Sequence, residues 1–361
     1  MQCKPRMHTT LRQAVASGTI VCSRRTSTRD LGRILQSPSV RLGAWPTPVE
    51  RVERRSAPDI LVKRDDLCGH GRGGAKARKI EHIVGHLLAR GHDELITTAG
   101  NVTNLVFDLL PALRRWGIRP RLFILDDPPA RAGDREQIFE GVRGEVELIG
   151  PRRTQAFHAM LTAYVRSRMA GGRPFVALPG VSHPAGVVGN ARGLIEMVVQ
   201  QRECGEPVPG TVFVAAATGT TVAGFLLGEH ALRSAGWPPI RIVGVQVYPG
   251  ALHRRTLGLL RWTERFLGLE GRVPTLRIEI VHSALHGGFA RYPEELSALC
   301  ERVDAEAHLQ IDPIFGGKSW SAMQSDAAAL RDPRPTLYWH CGYTPEWRVL
   351  GSAVRRGSEA S

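Results

Sequence analysis

The run Leu61-Val62-Lys63-Arg64-Asp65-Asp66, which leads through Gly69, Gly71, Gly73 and Gly74 into Ala75-Lys76-Ala77-Arg78-Lys79, decides how the rest of the chain is read. A short apolar strand ends in charge, a glycine-studded turn follows, and a helical pattern opens with Lys76 in its first turn. Glycine lets backbone approach a ligand without a Cβ in the way, and a helix N-terminus presents unpaired N–H groups to an anion. A lysine amine placed there can form a Schiff base with a carbonyl-bearing cofactor. The same residues also read as a basic surface loop, so the turn has to be weighed with its surroundings.

Outward from this turn, strand-like and helix-like stretches alternate. Apolar residues Ile80, Ile83, Val84, Leu87 and Leu88 recur at helical spacing over 75–90 and stop at Gly91. Strands are expected at 60–63, 94–98, 120–125, 146–149, 174–178, 212–216, 240–247, 276–281 and 336–340. Helices are expected at 102–116, 133–141, 154–169, 186–202, 221–234, 251–267, 292–306 and 318–330. Such alternation implies an α/β fold with a mostly parallel sheet wrapped by helices, and ligands at the carboxyl ends of its strands.

Two more strand-to-helix turns fall on that rule. Ala217-Thr218-Gly219-Thr220-Thr221-Val222-Ala223-Gly224 is not a Walker A loop, because Phe225 stands where its lysine belongs, and it lacks the glycines of GxGxxG. Its hydroxyls and N–H groups suit one phosphate; a Thr-rich capping turn is the alternative. Ala99-Gly100-Asn101-Val102-Thr103-Asn104 places a hydroxyl and an amide at another junction, where helix capping again competes. Convergence of three such turns on one cleft favours a cofactor site.

The length of 361 residues suits two cores, and 42% hydrophobic with 23% charged residues suits a globular protein. The net charge of +14 raises nucleic acid as a partner, but residues 1–56 hold eleven basic residues against three acidic ones and so contribute +8 of it. With no zinc-finger, RNA-binding or basic-zipper pattern, nucleic acid is not the expected partner. Six cysteines without a CxxC pair fit a reducing compartment, and a cytoplasmic location is expected. No apolar run reaches the roughly 18 residues of a membrane span. Residues 1–41, rich in Arg, Ser and Thr with Asp30 as their sole acid, read as a basic leader: a transit segment, upstream translation beyond a true start, or a disordered arm.

The segments VKRDDLCGHGRGGAKARKIEHIVGHLLARGHDELITTAGNVTN, LPGVSHPAGVVGNARGLIEM, ATGTTVAG and IDPIFGGKSWSAM, in this order, resemble the pyridoxal-phosphate enzymes of the 1-aminocyclopropane-1-carboxylate deaminase and D-cysteine desulfhydrase family, from about Leu42 to Pro345. The resemblance implies the tryptophan synthase β-subunit-like fold (fold type II), with two open, mostly parallel sheets wrapped by helices. It implies a large cofactor domain over 42–91 and 191–361, a small mobile domain over 92–190, and a homodimer.

By the same resemblance Lys76 holds pyridoxal 5'-phosphate covalently and shuttles the Cα proton of a small amino-acid substrate. Lys79 reaches the phosphate, Asn104 bonds the cofactor's ring hydroxyl, and Thr103 contacts substrate. The turn with Thr218, Gly219, Thr220, Thr221 and Gly224 binds the phosphate. The chain departs from the family at several of these places. Gly-Gly-Asn-Lys has become Gly73-Gly74-Ala75-Lys76, and Ser-Asn-His has become Thr103-Asn104-Leu105. Tyr-Glu-Gly-Lys, or Tyr-Thr-Gly-Lys, has become Phe315-Gly316-Gly317-Lys318, and a loop tyrosine has become Phe289. Gly316 offers the pyridine nitrogen no partner, and loss of two phenols removes the groups that ring opening needs. The expected reaction is therefore elimination from Cβ giving a 2-oxo acid and ammonia, and the alternative is a catalytically altered ligand-binding or regulatory relative.

His82 with His86, and His282 with His286, have the spacing of a metal pair, but neither sits in a HExxH pattern and no metal is expected. His340-Cys341-Gly342-Tyr343 follows the last strand, where a ring or thiol can face the cofactor.

Overall fold

The computed structural model describes residues 25–53, 59–100, 104–125, 146–150, 152–269, 272–282, 284, 286, 288–345 and 347. Six strands, β1 (Val49–Val52), β2 (Ile60–Lys63), β7 (Thr211–Ala216), β8 (Arg241–Gln246), β9 (Glu279–Val281) and β10 (Thr336–Trp339), form one sheet in the order β1-β2-β10-β7-β8-β9. Four strands, β3 (Glu94–Gly100), β4 (Arg119–Leu125), β5 (Val146–Ile149) and β6 (Pro174–Val176), form a second in the order β5-β4-β3-β6. All pairings between these strands are parallel except that of β1 with β2.

The helices are α1 (Arg25–Gln36), α2 (Ala75–Arg90), α3 (Leu105–Arg115), α4 (Arg153–Met169), α5 (Pro184–Glu203), α6 (Thr220–Ser234), α7 (Leu252–Leu267), α8 (Glu294–Ala307), α9 (Gly316–Gln324) and α10 (Ala327–Arg331). Alternate residues of a strand face opposite sides. Accordingly Leu61, Val212, Val214, Leu337 and Trp339 join the core made with α5 and α6, while Ile60, Val62, Phe213 and Tyr338 join the one made with Cys300 and Val303 of α8 and Trp320 of α9. A third cluster joins Ile80, Ile83 and Leu87 of α2 and Leu109 and Leu113 of α3 to Leu95 and Leu122 of the small sheet. Central strands apolar on both faces are what a parallel sheet covered on both sides requires.

Several expectations need revision. Residues 25–36, counted in the leader, fold as α1, with Leu31, Ile34 and Leu35 buried in the core beside α5 and α6. Their i, i+3, i+4 spacing makes an apolar stripe within an otherwise polar composition. One helix over 318–330 is instead two, α9 and α10, because the Asp326 side chain accepts a hydrogen bond from the Ala329 N–H and caps a new start. The helix expected over 133–141 lies outside the described residues.

Candidate active site

The turn entering α2 is shaped by glycines that admit no substitute. Gly74 has φ 94°, and a Cβ there would stand 1.9 Å from the Cys341 carbonyl oxygen and 2.8 Å from Gly342 N. At Gly73, with φ 73°, a Cβ would lie 2.5 Å from the Asp66 carbonyl oxygen. The backbone before Lys76 is thus pressed against the segment leaving β10, and a side chain at either glycine would separate them. Asp65 fixes the same turn, its carbonyl accepting the Gly74 N–H at 2.7 Å.

Lys76 opens onto an aromatic wall. Its Nζ lies 5.7 Å from the centroid of the Phe315 ring, within cation–π range. Phe315 meets Phe289 edge-on at 5.9 Å, and Phe289 meets Tyr248 at 5.0 Å. Gly100, ending β3, faces the same ring, since a Cβ there would be 3.8 Å from Phe289 Cε1. At Gly316 an added Cβ would stand 2.8 Å from the Tyr338 hydroxyl and 3.1 Å from Ile311 Cβ. The glycine at 316 is therefore matched to the tyrosine on β10, and a larger residue there needs that tyrosine to move.

One turn beyond Lys76, the buried Lys79 amine donates to the Gly180 carbonyl at 2.6 Å. A Cβ on Gly180 would lie 2.8 Å from Thr218 Cγ2, and one on Gly186 would lie 3.1 Å from Lys79 Cβ and 3.6 Å from Thr220 Cγ2. Two glycines thus bring Lys79 beside the N-terminus of α6. That helix starts after Gly219, at φ 89°, with no side-chain cap hydrogen bond. The Thr218 and Thr220 hydroxyls lie 3.1 Å apart, Thr220 donates to Ser182 Oγ at 3.1 Å, and Thr221 is half-buried in the same first turn. A helix start, two hydroxyls and an amine make an anion cradle.

Burial, and then the Lys76 charge, lowers the Lys79 amine to about 7. Lys79 is therefore mostly neutral at about pH 8, and an anion bound beside it favours the charged form. Binding of a phosphate-bearing ligand at that pH is expected to take up close to one proton, read by calorimetry in buffers of differing ionisation enthalpy. Binding without proton uptake would show that Lys79 does not face the anion.

Other residues singled out in the sequence have different surroundings. Gly224 lies one turn into α6 and faces α5, where a Cβ would stand 2.5 Å from Asn190 Cβ and 2.6 Å from the Val187 carbonyl oxygen. The missing side chain there lets two helices touch. Asn104 is buried and engaged within the protein: Nδ2 donates to Thr344 Oγ1 at 2.9 Å and to the Tyr343 carbonyl at 3.2 Å, while Oδ1 accepts from Arg72 at 2.9 Å. Thr103 lies outside the described residues. His340 turns away from the cleft, its Nε2 on the Gln310 carbonyl at 2.8 Å, whereas Cys341 stays beside Lys76 with its thiol pushed up to about 12 by burial.

His82 lies 3.3 Å from Arg192, while His86 packs against Phe175, His183 and Phe266, so the two rings serve different surroundings. Among the described residues no group of three or more His, Cys, Asp or Glu is placed to hold a metal ion.

Two features were not foreseen. Beneath α2, Arg78 bonds Asp65 (2.7 Å) and Glu196 (2.8 Å), and Lys63 bonds the same Glu196 (2.7 Å). Arg78 and Lys63 hold the Glu196 carboxyl down to about 2 against the opposing effect of burial. The second is Asp312, fully buried, whose oxygens accept from the N–H groups of Ile314 (3.0 Å), Phe315 (2.8 Å) and Thr344 (3.1 Å). It shapes the turn that carries Phe315 toward Lys76. Glu196 as a partner of Arg78 and Thr344 as a partner of Asp312 lie far along the chain, and residue spacing carries no trace of them.

The chain is similar to known proteins in sequence and in fold. The profile of a family described as "Pyridoxal-phosphate dependent enzyme" matches residues 40–342. A putative 1-aminocyclopropane-1-carboxylate deaminase of Pyrococcus abyssi is 29% identical over 85% of this chain and 92% of its own. A D-cysteine desulfhydrase of Salmonella typhi is 26% identical, covering 87% and 97%. The crystal structure of an ACC deaminase homologue superposes with a TM-score of 0.76 at 23% identity, over 90% of this chain and 99% of that one, so the two share a fold.

Proposed function

The chain belongs to the pyridoxal-phosphate-dependent enzyme family, and from that premise we propose that it removes a β-substituent from a small amino acid, giving a 2-oxo acid and ammonia in the manner of a desulfhydrase. The single observation that carries this reading is the setting of Lys76, its amine 5.7 Å from a Phe315 ring that bears no hydroxyl. The residues fit the cofactor. Lys76 supplies the amine that its carbonyl requires, and Lys79 with the Thr218–Thr221 turn supplies an anion cradle. When bound, pyridoxal phosphate provides an electron sink for negative charge at Cα.

Lys76 holds the cofactor, takes the Cα proton and later releases it. The electron pair left at Cα forms a double bond to Cβ as the β-substituent departs with its bonding pair. The freed enamine hydrolyses to the 2-oxo acid and ammonia. Phe289 and Phe315 exclude water from this face but cannot transfer protons, which sets the site against opening a cyclopropane ring. Thr103 is proposed to contact substrate. Asn104 would have to exchange one of its present partners to reach the cofactor's ring hydroxyl. A small domain over 92–190 that closes on the substrate, a homodimer and a cytoplasmic location belong to the same proposal, on the strength of the family resemblance. Among the described residues no helix is long and apolar enough to cross a membrane.

The test is the visible spectrum of the purified protein with pyridoxal phosphate, before and after borohydride. A band near about 410–430 nm that collapses on reduction, with the label on Lys76, is the expected result. D- and L-amino acids are then screened for ammonia, sulfide and 2-oxo acid. A labelled protein that turns over none of them would favour the ligand-binding alternative, and absence of the band would overturn the reading.

A further inference from the structure

The cofactor that fits this site has three polar handles: a carbonyl, a phosphate and a ring nitrogen. Lys76 and the cradle at Lys79 and Thr218–Thr221 take the first two, whereas position 316, where the resemblance puts the partner of the third, is a glycine. A hydroxyl stands in the space that a side chain at 316 would fill. The Tyr338 hydroxyl oxygen lies 2.8 Å from where a Cβ on Gly316 would be, the closest contact that such a Cβ would make. This corner borders the cleft, because the ring of Phe315, the residue before, is the one 5.7 Å from Lys76 Nζ. Both sides of the corner are fixed. Tyr338 is 1% exposed, paired on β10 with Val62 of β2 and Phe213 of β7, and its ring meets Trp320 edge-on at 5.0 Å. Asp312 holds the start of α9, accepting the Phe315 N–H on its side chain and the Gly317 N–H on its carbonyl. Among the described residues the Tyr338 hydroxyl makes no hydrogen bond, although a buried phenol ordinarily has one. Neighbouring polar groups are turned elsewhere: the Asp312 carboxyl onto backbone N–H groups, and the Lys318 amine onto the Gly288 carbonyl at 3.3 Å.

We propose that Tyr338 is a cofactor-binding residue: its phenol donates a hydrogen bond to the ring nitrogen of pyridoxal phosphate, from β10 instead of from position 316. The proposal rests on the reading of Lys76 as the residue that holds the cofactor. Glycine at 316 and tyrosine at 338 then form one device, since a side chain at 316 would collide with the hydroxyl. Burial, and then the nearby Cys341 and Asp312, pushes the phenol well above its ordinary value, so it keeps its proton. A nitrogen that accepts from a neutral donor carries no proton of its own, and the ring then draws charge from Cα more weakly than a protonated one. That suits an elimination, in which the electron pair at Cα passes on to Cβ.

The test loads the full chain with pyridoxal phosphate isotopically labelled at the ring nitrogen and reads that nitrogen by NMR. In wild type it should show the shift of an unprotonated, hydrogen-bonded pyridine. Tyr338→Phe keeps the aromatic ring and its packing on Trp320 but removes the donor. Its nitrogen shift should move to that of a pyridine without a donor, and its dissociation constant for the cofactor should rise about 2- to 10-fold, the worth of one neutral hydrogen bond. Gly316→Thr added to Tyr338→Phe should return both values toward wild type. Gly316→Thr alone should bind the cofactor more weakly than that double variant, because its Cβ meets the hydroxyl. A Tyr338→Phe protein with unchanged shift and affinity overturns the proposal. So does a wild-type nitrogen that carries its own proton, a result that needs no variant to fold. A shift that moves in Ser319→Ala and not in Tyr338→Phe also overturns it, by assigning the bond to the buried, unpartnered Ser319 hydroxyl on α9. A wild-type protein whose Lys76 takes no borohydride label fails at the earlier step and removes the premise as well.

Discussion

Lys76→Ala is expected to lower kcat/KM by about 1,000-fold or more while leaving the fold intact. On the proposed reading two roles are lost together: the amine that holds the cofactor and the base that moves the Cα proton, which alone is worth about 10²–10⁴-fold. The side chain is half-buried and takes no part in the ionic network beneath α2, so circular dichroism and thermal unfolding should change little. The variant should still bind pyridoxal phosphate through the cradle at Lys79 and Thr218–Thr221, but without a band that borohydride removes. Added primary amines would then restore part of the activity if proton transfer is the step that failed. Turnover within about tenfold of wild type would show that another group is the base.

The second large effect is one of stability. Asp65→Ala is expected to cost about 3–5 kcal/mol, the range for removing one member of a buried ion pair. Asp65 is 0% exposed and accepts four side-chain hydrogen bonds: two from Arg78 at 2.7 and 2.8 Å, one from Thr47 at 2.7 Å and one from Trp339 at 2.8 Å. Truncation would leave the Arg78 guanidinium, 4% exposed, without its main counter-charge in a site closed to water. The Gly74 N–H is held by the Asp65 backbone carbonyl, which alanine keeps, so any fall in cofactor affinity is indirect, through the loosened Arg78 and Thr47. Urea unfolding with cofactor absent isolates the first effect. A loss below about 1 kcal/mol would mean that Glu196 alone suffices for Arg78.

Much of the architecture could be read before any coordinates. Strands such as Val212–Ala216 are apolar without interruption, helices end at glycines such as Gly91, and each strand-to-helix junction carries its own turn chemistry. What failed to show has physical reasons. Leu31, Ile34 and Leu35 sit among Arg, Ser and Thr, and composition averaged over a segment hides a three-residue stripe. Gly224 shares a phosphate-loop pattern with Gly219, yet one lies at the helix start and the other a turn beyond it, where the helix meets a neighbour. Asp108 reads as a routine first-turn acid. Its contacts with Gly71 and Arg72 exist only in the folded chain.

The position of β10 has a consequence for the order of events during synthesis. The last strand of the large sheet in sequence lies between β2 and β7, and the carbonyl that fits against Gly74 belongs to Cys341, directly beyond it. Until residues near 340 leave the ribosome, the sheet has a gap at its centre and Lys76 has no fixed aim. The nascent chain must therefore wait with apolar strand edges uncovered, a stage at which chaperones act and aggregation competes. The large sheet and the turn that carries Lys76 are therefore completed together, as one late event of synthesis.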